Sequence, residues 1–324
     1  MAALDLAPKR PGEFRIAHLS DLHLAHEGAG RLRRHLRGLL KIDNSRNGPM
    51  FRAVVRDILD HDIDHVLVTG DLTQSGRRTE FQEVRAILSP FETAGKLTVI
   101  PGNHDITYRR EDRSGRLFRR LAKLDPFLEH FGGVVPSENP YGLPMRRGRP
   151  FPFVKIFEPA GIALIAIDTT NRLGVRIQPL NSLGHIDGPQ RKALEQILVD
   201  PALARYTRIV AMHHHPMIIP LFPAGDSMRR LRQSRWLMPL LYETRVRLVM
   251  HGHKHVPFCW QSTAYGRHPF AVVCASAPNV AGSFAAMTEI PLVYNVYGIS
   301  GGDVSIHYRE FMFRAGGPER LPAP

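Results

Sequence analysis

The chain has 324 residues, of which 43% are hydrophobic, so it is long enough to bury a sizeable core in one large domain or two. It carries 43 Lys and Arg against 30 Asp and Glu, and the resulting formal net charge of +13 favours phosphate esters, nucleic acid or an acidic membrane surface as partners. The N-terminal stretch lacks the pattern of a secretory signal, and no apolar run approaches the roughly 20 residues of a membrane span. We therefore expect a cytoplasmic protein.

The first predicted strand, Phe14 to Leu19, runs directly into Ser20-Asp21-Leu22-His23. Side chains two residues apart on an extended chain project to the same side, so Asp21 and His23 could be directed at one point. The stretch from Gly30 to Leu40 then has leucines on one helical face and arginines elsewhere. This pattern predicts either a basic surface helix or a flap that meets a phosphate-rich or lipid substrate.

Two further strands, His65 to Val68 and Leu97 to Ile100, each end in a polar cluster. Apolar residues at helical spacing predict helices from about Met50 to Asp60 and over Phe81 to Leu88. This alternation of strand, helix and strand predicts the start of a parallel sheet. The clusters are Gly70-Asp71 after the second strand and Gly102-Asn103-His104-Asp105 after the third, and ligands tend to bind at such strand ends.

The middle of the chain differs in amino-acid composition from the segments before it. Residues 108–133 interleave arginines with leucines and phenylalanines, which predicts a basic helical insert, and the Pro- and Gly-rich residues 137–152 predict a surface loop. Strands are predicted at Phe153 to Phe157 and at Ile162 to Ile167, followed by Asp168, which could reach the rim of a site. A helix is predicted over 188–198.

The same pattern of an apolar run followed by polar residues occurs twice more. Arg208 to Met212 precedes His213-His214-His215, and Val246 to Met250 precedes His251-Gly252-His253-Lys254-His255. The remaining strands, predicted at 270–275, 292–297 and 304–308, indicate a C-terminal antiparallel region. We expect one domain over 12–312 with basic inserts near 25–50 and 108–152, and flexible tails at 1–11 and 313–324.

The two cysteines, Cys259 and Cys274, are too few for a disulfide framework. Reduced thiols are therefore the default expectation. A tight hairpin turn centred between Gly266 and Arg267 would place the two cysteines directly opposite each other, so a disulfide is the alternative.

The polar clusters offer carboxylate, imidazole and amide oxygen, which are ligands suited to Mn, Fe or Zn. Cysteine is missing from every cluster, which argues against a structural zinc or iron-sulfur site. The candidates outnumber the ligands that one ion needs. Two ions bridged by the Asp71 carboxylate would use them all, and such a pair binds a phosphoryl group and lowers the pKa of a bound water.

The ordered set Asp-x-His, Gly-Asp, Gly-Asn-His-Asp, His-His-His-Pro and Gly-His-x-His, over about Phe14 to Val256, resembles the calcineurin-like metallophosphoesterase family. It looks closest to the bacterial branch that includes class III cyclic nucleotide phosphodiesterases. The resemblance implies an α/β fold, a four-layer αββα sandwich with mixed sheets, and a dinuclear metal site on strand-end loops. It also implies two divalent or trivalent metal ions (Mn, Fe or Zn) as cofactors.

The resemblance assigns roles residue by residue. The first metal would be held by Asp21, His23, Asp71 and His255, and the second by Asp71, Asn103, His213 and His253. His104 would act as a catalytic residue beside the leaving group, with Asp105 close enough to influence it, and a metal-bridging hydroxide would attack. His214 remains a rival to His213 or a substrate-binding residue.

The first functional hypothesis is hydrolysis of a phosphodiester or pyrophosphate bond in a small, anionic, nucleotide-type phosphoester. The basic segments favour a rival, a nucleotide-lipid pyrophosphohydrolase of the lipid A pathway type in peripheral contact with the inner membrane. The stretch Gly70-Asp71-Leu72-Thr73-Gln74-Ser75-Gly76 lacks the acidic-arginine pair that follows Gly-Asp in phosphoprotein phosphatases, which disfavours a protein phosphatase. A nuclease is disfavoured because no aromatic base-stacking platform is evident, so nucleic acid is not the expected partner. A non-catalytic scaffold is the remaining alternative, and the oligomeric state stays open.

Overall fold

The computed structural model describes residues 6–25, 47–106, 124–135, 150–170, 182–218, 230–262, 268–275, 292–314 and 316–321. Within this part the strands form two six-stranded sheets. The strands are β1 (Phe14–Leu19), β2 (His65–Val68), β3 (Leu97–Val99), β4 (Phe153–Phe157), β5 (Ile162–Ala166), β6 (Thr207–Ala211), β7 (Leu248–His251), β8 (Phe258–Ser262), β9 (Phe270–Cys274), β10 (Leu292–Ser300), β11 (Asp303–Arg314) and β12 (Gly317–Arg320). The α-helices are α1 (Asn47–Leu59), α2 (Arg78–Thr93), α3 (Asp125–Phe131), α4 (Gly188–Val199) and α5 (Ser234–Glu243).

The first sheet has the strand order β12-β11-β10-β1-β2-β3. Strands β1, β2 and β3 are parallel to one another, with Leu19 opposite Val68 and Val68 opposite Val99. The prediction of a parallel start is therefore confirmed. Since parallel strands end at the same edge, the polar residues that follow all three emerge together.

The second sheet has the order β4-β5-β6-β7-β9-β8. Strands β5, β6, β7 and β9 are parallel, while β4 and β8 are antiparallel edge strands. The residues that follow β6 and β7 therefore share one edge, as those of the first sheet do. Both sheets are mixed, as predicted.

Two apolar layers hold the sheets and helices together. Along β6, Ile209 and Ala211 pack in the cluster that also contains the first sheet, whereas Val210 packs in a second cluster with Leu194 of α4 and Leu237 of α5. Helix α1 covers the other face of the first sheet, where Asp57 accepts two hydrogen bonds from the Arg309 guanidinium of β11. The order of layers is helix, sheet, sheet, helix, which confirms the four-layer fold.

The C-terminal region differs from the prediction in three respects. β11 extends to Arg314 and β12 pairs with it, so the expectation of a flexible tail from residue 313 is wrong for residues 317–320. β9 lies in the second sheet beside β7 and not next to β10. Helix α5 and strands β8 and β12 were not predicted. Pro239 lies inside α5, where a proline disfavours a helix, and β8 and β12 have only five and four residues, too few for a clear period.

The cysteines are free thiols, so the disulfide alternative is wrong. In the β8–β9 pair, Cys259 is opposite Val273 and Cys274 is opposite Phe258. The register is thus one residue away from the predicted hairpin. A shift of one residue sends the two side chains to opposite faces of the sheet.

Several predicted features lie outside the described residues: the basic segment at 30–40, residues 108–123 of the basic insert and most of the 137–152 loop. From the second half of the insert the structure describes α3, whose Phe127 and Phe131 pack against Phe81 of α2. Among the described helices, none is both long and apolar enough to cross a membrane.

Candidate metal centre

The chain segments after β1 and β2 continue side by side beyond the ends of the strands. The N–H of Asp21 donates to the Gly70 carbonyl at 3.0 Å, and the N–H of His23 donates to the Asp71 carbonyl at 2.9 Å. These two contacts place the side chains of Asp21 and His23 beside that of Asp71.

The backbone at these residues is left-handed. In the described part, six non-glycine residues have positive φ, and five of them are predicted metal ligands. The five are Asp21 (58°), His23 (44°), Asp71 (51°), His253 (75°) and His255 (55°). The expectation that an extended chain directs Asp21 and His23 to one point is therefore wrong, because β1 ends at Leu19 and the chain turns at each ligand. Such conformations cost of order 1–3 kcal/mol each, and they persist where surrounding contacts impose them, commonly at functional sites.

Glycines allow the loops to approach one another closely. A Cβ on Gly102 would collide with the backbone nitrogen and the carboxylate of Asp71, and a Cβ on Gly252 would collide with the side chains of Ser20 and Asp21. The bare backbone at these positions therefore lets the loops after β3 and β7 contact the loops after β2 and β1.

One group of ligand atoms lies around Asp21. Its Oδ1 atom is 3.6 Å from Nε2 of His255 and 4.0 Å from Nε2 of His23. Nε2 of His23 is also 3.5 Å from Oδ2 of Asp71. The ligand atoms of Asp21, His23 and His255 lie within 4.8 Å of one another, close enough for one ion to contact all three, and Asp71 adjoins them through His23.

A second group lies around His213. Its Nε2 atom is 3.4 Å from Oδ2 of Asp71, 3.1 Å from Oδ1 of Asn103 and 3.2 Å from Nδ1 of His253. The two groups therefore share Oδ2 of Asp71. The structure brings together all seven residues that the sequence proposed as metal ligands.

The chemistry of these atoms fits metal ions. Oδ1 of Asp21 and Nε2 of His23 are buried and have no hydrogen-bond partner in the described structure, although buried polar atoms are nearly always paired. Burial holds the pKa of His23 and of His253 well below its usual value, so both imidazoles are in the neutral form that binds metals. We conclude that the donor set suits two ions.

The charge balance centres on Asp71 and His213. Burial would raise the pKa of Asp71, but the neighbouring His213 and His104 hold it well below its usual value. Burial would lower the pKa of His213, but Asp71 raises it to about 9. Without metal these groups thus form an ion pair, and the cation that stabilises Asp71 is the side chain that would give up its proton to bind an ion.

His104 lies beside His23 and Asp71 and is partly exposed. Its backbone N–H donates to Oδ1 of Asp71 at 2.8 Å, and its Nδ1–H donates to the Gln74 carbonyl at 3.0 Å. The ring packs edge-on against His23, with 4.6 Å between centroids. These contacts fix the ring and leave Nε2 for an external partner.

Asp105 has a different place from the one expected of a catalytic residue. It is fully buried, and its carboxylate accepts hydrogen bonds from the backbone N–H groups of Leu72, Thr73 and Gly102 and from the Thr73 hydroxyl. Among the described residues, no hydrogen bond joins Asp105 to the His104 ring. Its contacts are those of a group that joins the loops after β2 and β3.

His214 is fully buried next to the second group. Its Nδ1 pairs with the Thr169 hydroxyl at 2.9 Å, and its ring centroid is 4.5 Å from that of His253. Asp168 instead stabilises its own turn by accepting from the N–H and the hydroxyl of Thr170. The structure thus keeps His214 near the centre and gives Asp168 a local role.

Sequence reasoning missed two supporting residues, Thr69 and Ser20. The Thr69 carbonyl accepts the Nδ1–H of His213 at 2.8 Å and also the Ser20 hydroxyl at 3.3 Å. The accepting group is a backbone carbonyl, which no side-chain pattern reveals. The one available signal was position, since each residue lies directly between an apolar run and a proposed ligand loop.

A comparison with protein families matches residues 14–257 to the calcineurin-like phosphoesterase model. A probable cyclic nucleotide phosphodiesterase from Rhodococcus erythropolis is 28% identical over 256 residues, which cover 76% of this chain and 66% of that protein. A cAMP/cGMP dual specificity phosphodiesterase from Mycobacterium tuberculosis is 27% identical over 245 residues, covering 75% and 62%. The matches thus span just under two thirds of each relative.

Two solved structures share the fold at low sequence identity. A dimetal phosphatase from Danio rerio superposes with a TM-score of 0.58 at 14% identity, covering 95% of this chain and 98% of that one. A purple acid phosphatase from yellow lupin gives a TM-score of 0.51 at 14% identity, covering 93% and 52%. At this identity the likeness shows the fold alone.

Proposed function

The chain belongs to the calcineurin-like phosphoesterase family, whose members hydrolyse phosphoester bonds. We propose that it cleaves a phosphodiester or pyrophosphate bond in a small nucleotide-type substrate. The observation that carries the proposal is the shared carboxylate: Oδ2 of Asp71 lies 3.5 Å from Nε2 of His23 and 3.4 Å from Nε2 of His213. Such a bridge between two ligand groups suits a pair of ions. The relatives whose names specify cyclic nucleotides support the choice of a diester.

In this proposal each ligand group holds one ion, and the oxygen and nitrogen donors leave Mn, Fe and Zn open. Two ions so held supply Lewis acidity toward the phosphoryl oxygens and lower the pKa of a bound water. The first ion would be held by Asp21, His23, Asp71 and His255, and the second by Asp71, Asn103, His213 and His253. His255 and His104 are partly exposed while Asp21, His23 and His213 are fully buried, so substrate approaches from the side of His255 and His104.

His104 is the proposed catalytic residue. Its Nδ1–H is held by the Gln74 carbonyl, so a second proton on the ring resides on Nε2. From that atom the imidazolium can donate to the leaving oxygen or stabilise the charge that develops there. Asp105 is proposed as a positioning residue, because its contacts fix the loop that carries His104.

The nucleotide-lipid alternative rests on the basic segments at 31–40 and 108–131, of which the structure describes only residues 124–131. No described contact favours it over the nucleotide-type diester. It therefore enters as one arm of the test, through the effect of lipid vesicles on activity.

The test is hydrolysis of bis-p-nitrophenyl phosphate and p-nitrophenyl phosphate by the metal-stripped full chain, before and after Mn is restored. His104→Ala is compared with the matched variant His130→Ala. His130 is also a partly buried histidine whose Nδ1–H donates to a backbone carbonyl, that of Pro126, but it lies on α3 among residues packed on α2. We expect Mn-dependent activity that prefers the diester, with loss in His104→Ala and retention in His130→Ala.

The positive result would be followed by cyclic AMP and by a nucleotide-diphosphate lipid, each with and without anionic vesicles. Cyclic AMP turnover that vesicles do not change is the expected outcome. Preference for the monoester would overturn the diesterase proposal, and activity confined to the lipid with vesicles would replace it with the membrane-surface reaction.

A further inference from the structure

A chain of buried hydrogen bonds extends from the interior of the first sheet to His213. The Tyr297 hydroxyl on β10 is 3.1 Å from Nδ1 of His18 on β1, and Nε2 of His18 is 2.8 Å from the Thr69 hydroxyl. The carbonyl of the same Thr69 accepts the Nδ1–H of His213 at 2.8 Å. His18, Thr69, His213 and Tyr297 are all fully buried.

We assign the protons in this chain from its Asn295 end. The amide nitrogen of Asn295 can only donate, and it donates to the Tyr297 oxygen at 3.0 Å. The Tyr297 O–H then donates to Nδ1 of His18, and the Nε2–H of His18 donates to the Thr69 hydroxyl. The Thr69 O–H points to the Leu19 carbonyl at 3.5 Å. This arrangement requires a neutral His18, and burial together with the nearby His251 lowers the pKa of His18 to about 3.

Thr69 is held on several sides. Its N–H donates to the Leu19 carbonyl at 2.9 Å, and its hydroxyl is bound by His18. Its carbonyl receives both the Ser20 hydroxyl and the His213 ring. The direction of this carbonyl decides where the imidazole of His213 points, since a histidine that donates one ring N–H presents its other nitrogen to a metal.

We propose that His18 and Tyr297 are positioning residues, which orient the Thr69 peptide and so direct Nε2 of His213 to the second metal position. The inference rests on the proposed function, because it takes His213 to be a metal ligand. The proposal means that metal affinity depends on the Tyr297 hydroxyl, although this hydroxyl contacts neither ligand group and does not lie on the side of His255 and His104.

Tyr294 provides a matched control on the same strand. It is also fully buried, and its hydroxyl also makes a hydrogen bond, to Asp57 of α1. Tyr294→Phe and Tyr297→Phe each remove one buried hydroxyl from β10, but only Tyr297 is joined to His18. A merely structural role predicts the same behaviour for both variants, whereas the proposal predicts that they differ in metal binding.

The experiment is calorimetric titration of the metal-stripped full chain with Mn. We expect Tyr297→Phe to weaken the binding of one of two ions about tenfold, within the range for loss of outer-shell partners. Tyr294→Phe should keep wild-type affinity for Mn, even if its melting temperature falls as far as that of Tyr297→Phe. Equal affinity of Tyr297→Phe and wild type, or equal weakening in both variants, would overturn the proposal.

A second pair of variants at Thr69 keeps the inference testable if Tyr297→Phe folds poorly. Thr69→Ser retains the hydroxyl and should retain Mn affinity, while Thr69→Val removes it and should weaken binding and alter the absorption spectrum of the cobalt-substituted protein. Identical affinity and spectra in the two Thr69 variants would overturn the proposal. Failure of the proposed function would look different, because the wild type itself would then bind no Mn or hydrolyse no diester.

Discussion

The carboxylate of Asp21 accepts a hydrogen bond at 2.8 Å from the backbone N–H of His253, a residue 232 positions further along the chain. Asp21 follows β1 of the first sheet and His253 follows β7 of the second, so this bond joins the two sheets at the candidate metal centre. One oxygen of Asp21 thus holds the loop while the other faces the histidines of the first ligand group.

The double use of the Asp21 carboxylate predicts different results for two substitutions. Asp21→Ala leaves the buried His253 N–H without its acceptor, which should lower the free energy of unfolding of the metal-free protein by about 1–3 kcal/mol. Asp21→Asn retains an acceptor oxygen, so the free energy of unfolding should fall less in this variant. Both variants should lose more than about 100-fold in Mn-dependent hydrolysis, since loss of an outer-shell partner alone costs about 10–100-fold. Urea unfolding and diester hydrolysis provide the two measurements, and wild-type activity in Asp21→Asn would contradict the assignment.

Asp105→Ala should destabilise the protein more than a typical substitution. The change leaves three backbone N–H groups, of Leu72, Thr73 and Gly102, without their carboxylate acceptor, at a combined cost of roughly 3 kcal/mol or more. The loop that carries His104 should also move, so activity should fall together with stability. Urea unfolding of the metal-free variant is the measurement. Wild-type stability combined with lost activity would instead favour a direct catalytic role for Asp105.

Gly102→Ala tests the close approach of two loops. Its φ is not in the left-handed region, so the expected effect comes from collision of the new Cβ with the backbone and carboxylate of Asp71. The added methyl group should cost about 1–3 kcal/mol of stability and weaken metal binding. Gly188→Ala is the control, since its Cβ would meet nothing within 4 Å at the start of α4. Equal melting temperatures and Mn affinities in the two variants would show that the collision is absent.

The buried His18 predicts acid sensitivity of the metal-free protein. Its pKa is lowered from 6.5 to about 3, mainly by burial and further by the neighbouring His251, so between these values the unfolded chain binds the extra proton. The stabilisation is therefore fully present above about pH 6.5 and is lost as the pH falls toward 3. For this one group the loss between pH 7 and pH 5 is about 2 kcal/mol.

His18→Gln should remove that part of the pH dependence. The measurement is the free energy of unfolding in urea at the two pH values, compared as a difference so that any overall loss of stability in the variant cancels. His251 has a similarly lowered pKa and remains in both proteins, so some dependence will persist. An identical difference in wild type and variant would show that His18 does not carry the effect.

Much of the fold could be predicted because its signals are local. The parallel start β1, β2 and β3 was visible as apolar runs separated by helical spacing, and the observed strands end within one residue of the predicted positions. The pairing of β9 with β7 could not be predicted in this way. Strand order depends on which apolar faces pack across the sandwich, and no sequence period records that.

In the candidate site, too, some features could be predicted from the local sequence and others could not. Four metal ligands could be proposed from the sequence because they lie directly after apolar runs: Asp21, Asp71, Asn103 and His213. The role of Asp105 did not follow, because two of its backbone N–H partners, those of Leu72 and Thr73, are 33 and 32 residues away. The His18, Thr69 and Tyr297 chain was also invisible, since His18 resembles any histidine within a strand.

The sequence by itself determined the kind of chemistry: which oxygen and nitrogen donors are present, in what order, and at the ends of which strands. This information is contained in local patterns, because burial of an apolar run decides where the chain emerges at a sheet edge. Only the tertiary structure decided which donors share Asp71, which backbone positions become left-handed, and which carbonyl fixes each imidazole. Those relationships join residues far apart in the chain, such as Asp21 and His253 at a separation of 232 positions, and they exist only once the two sheets have packed and brought their loops together.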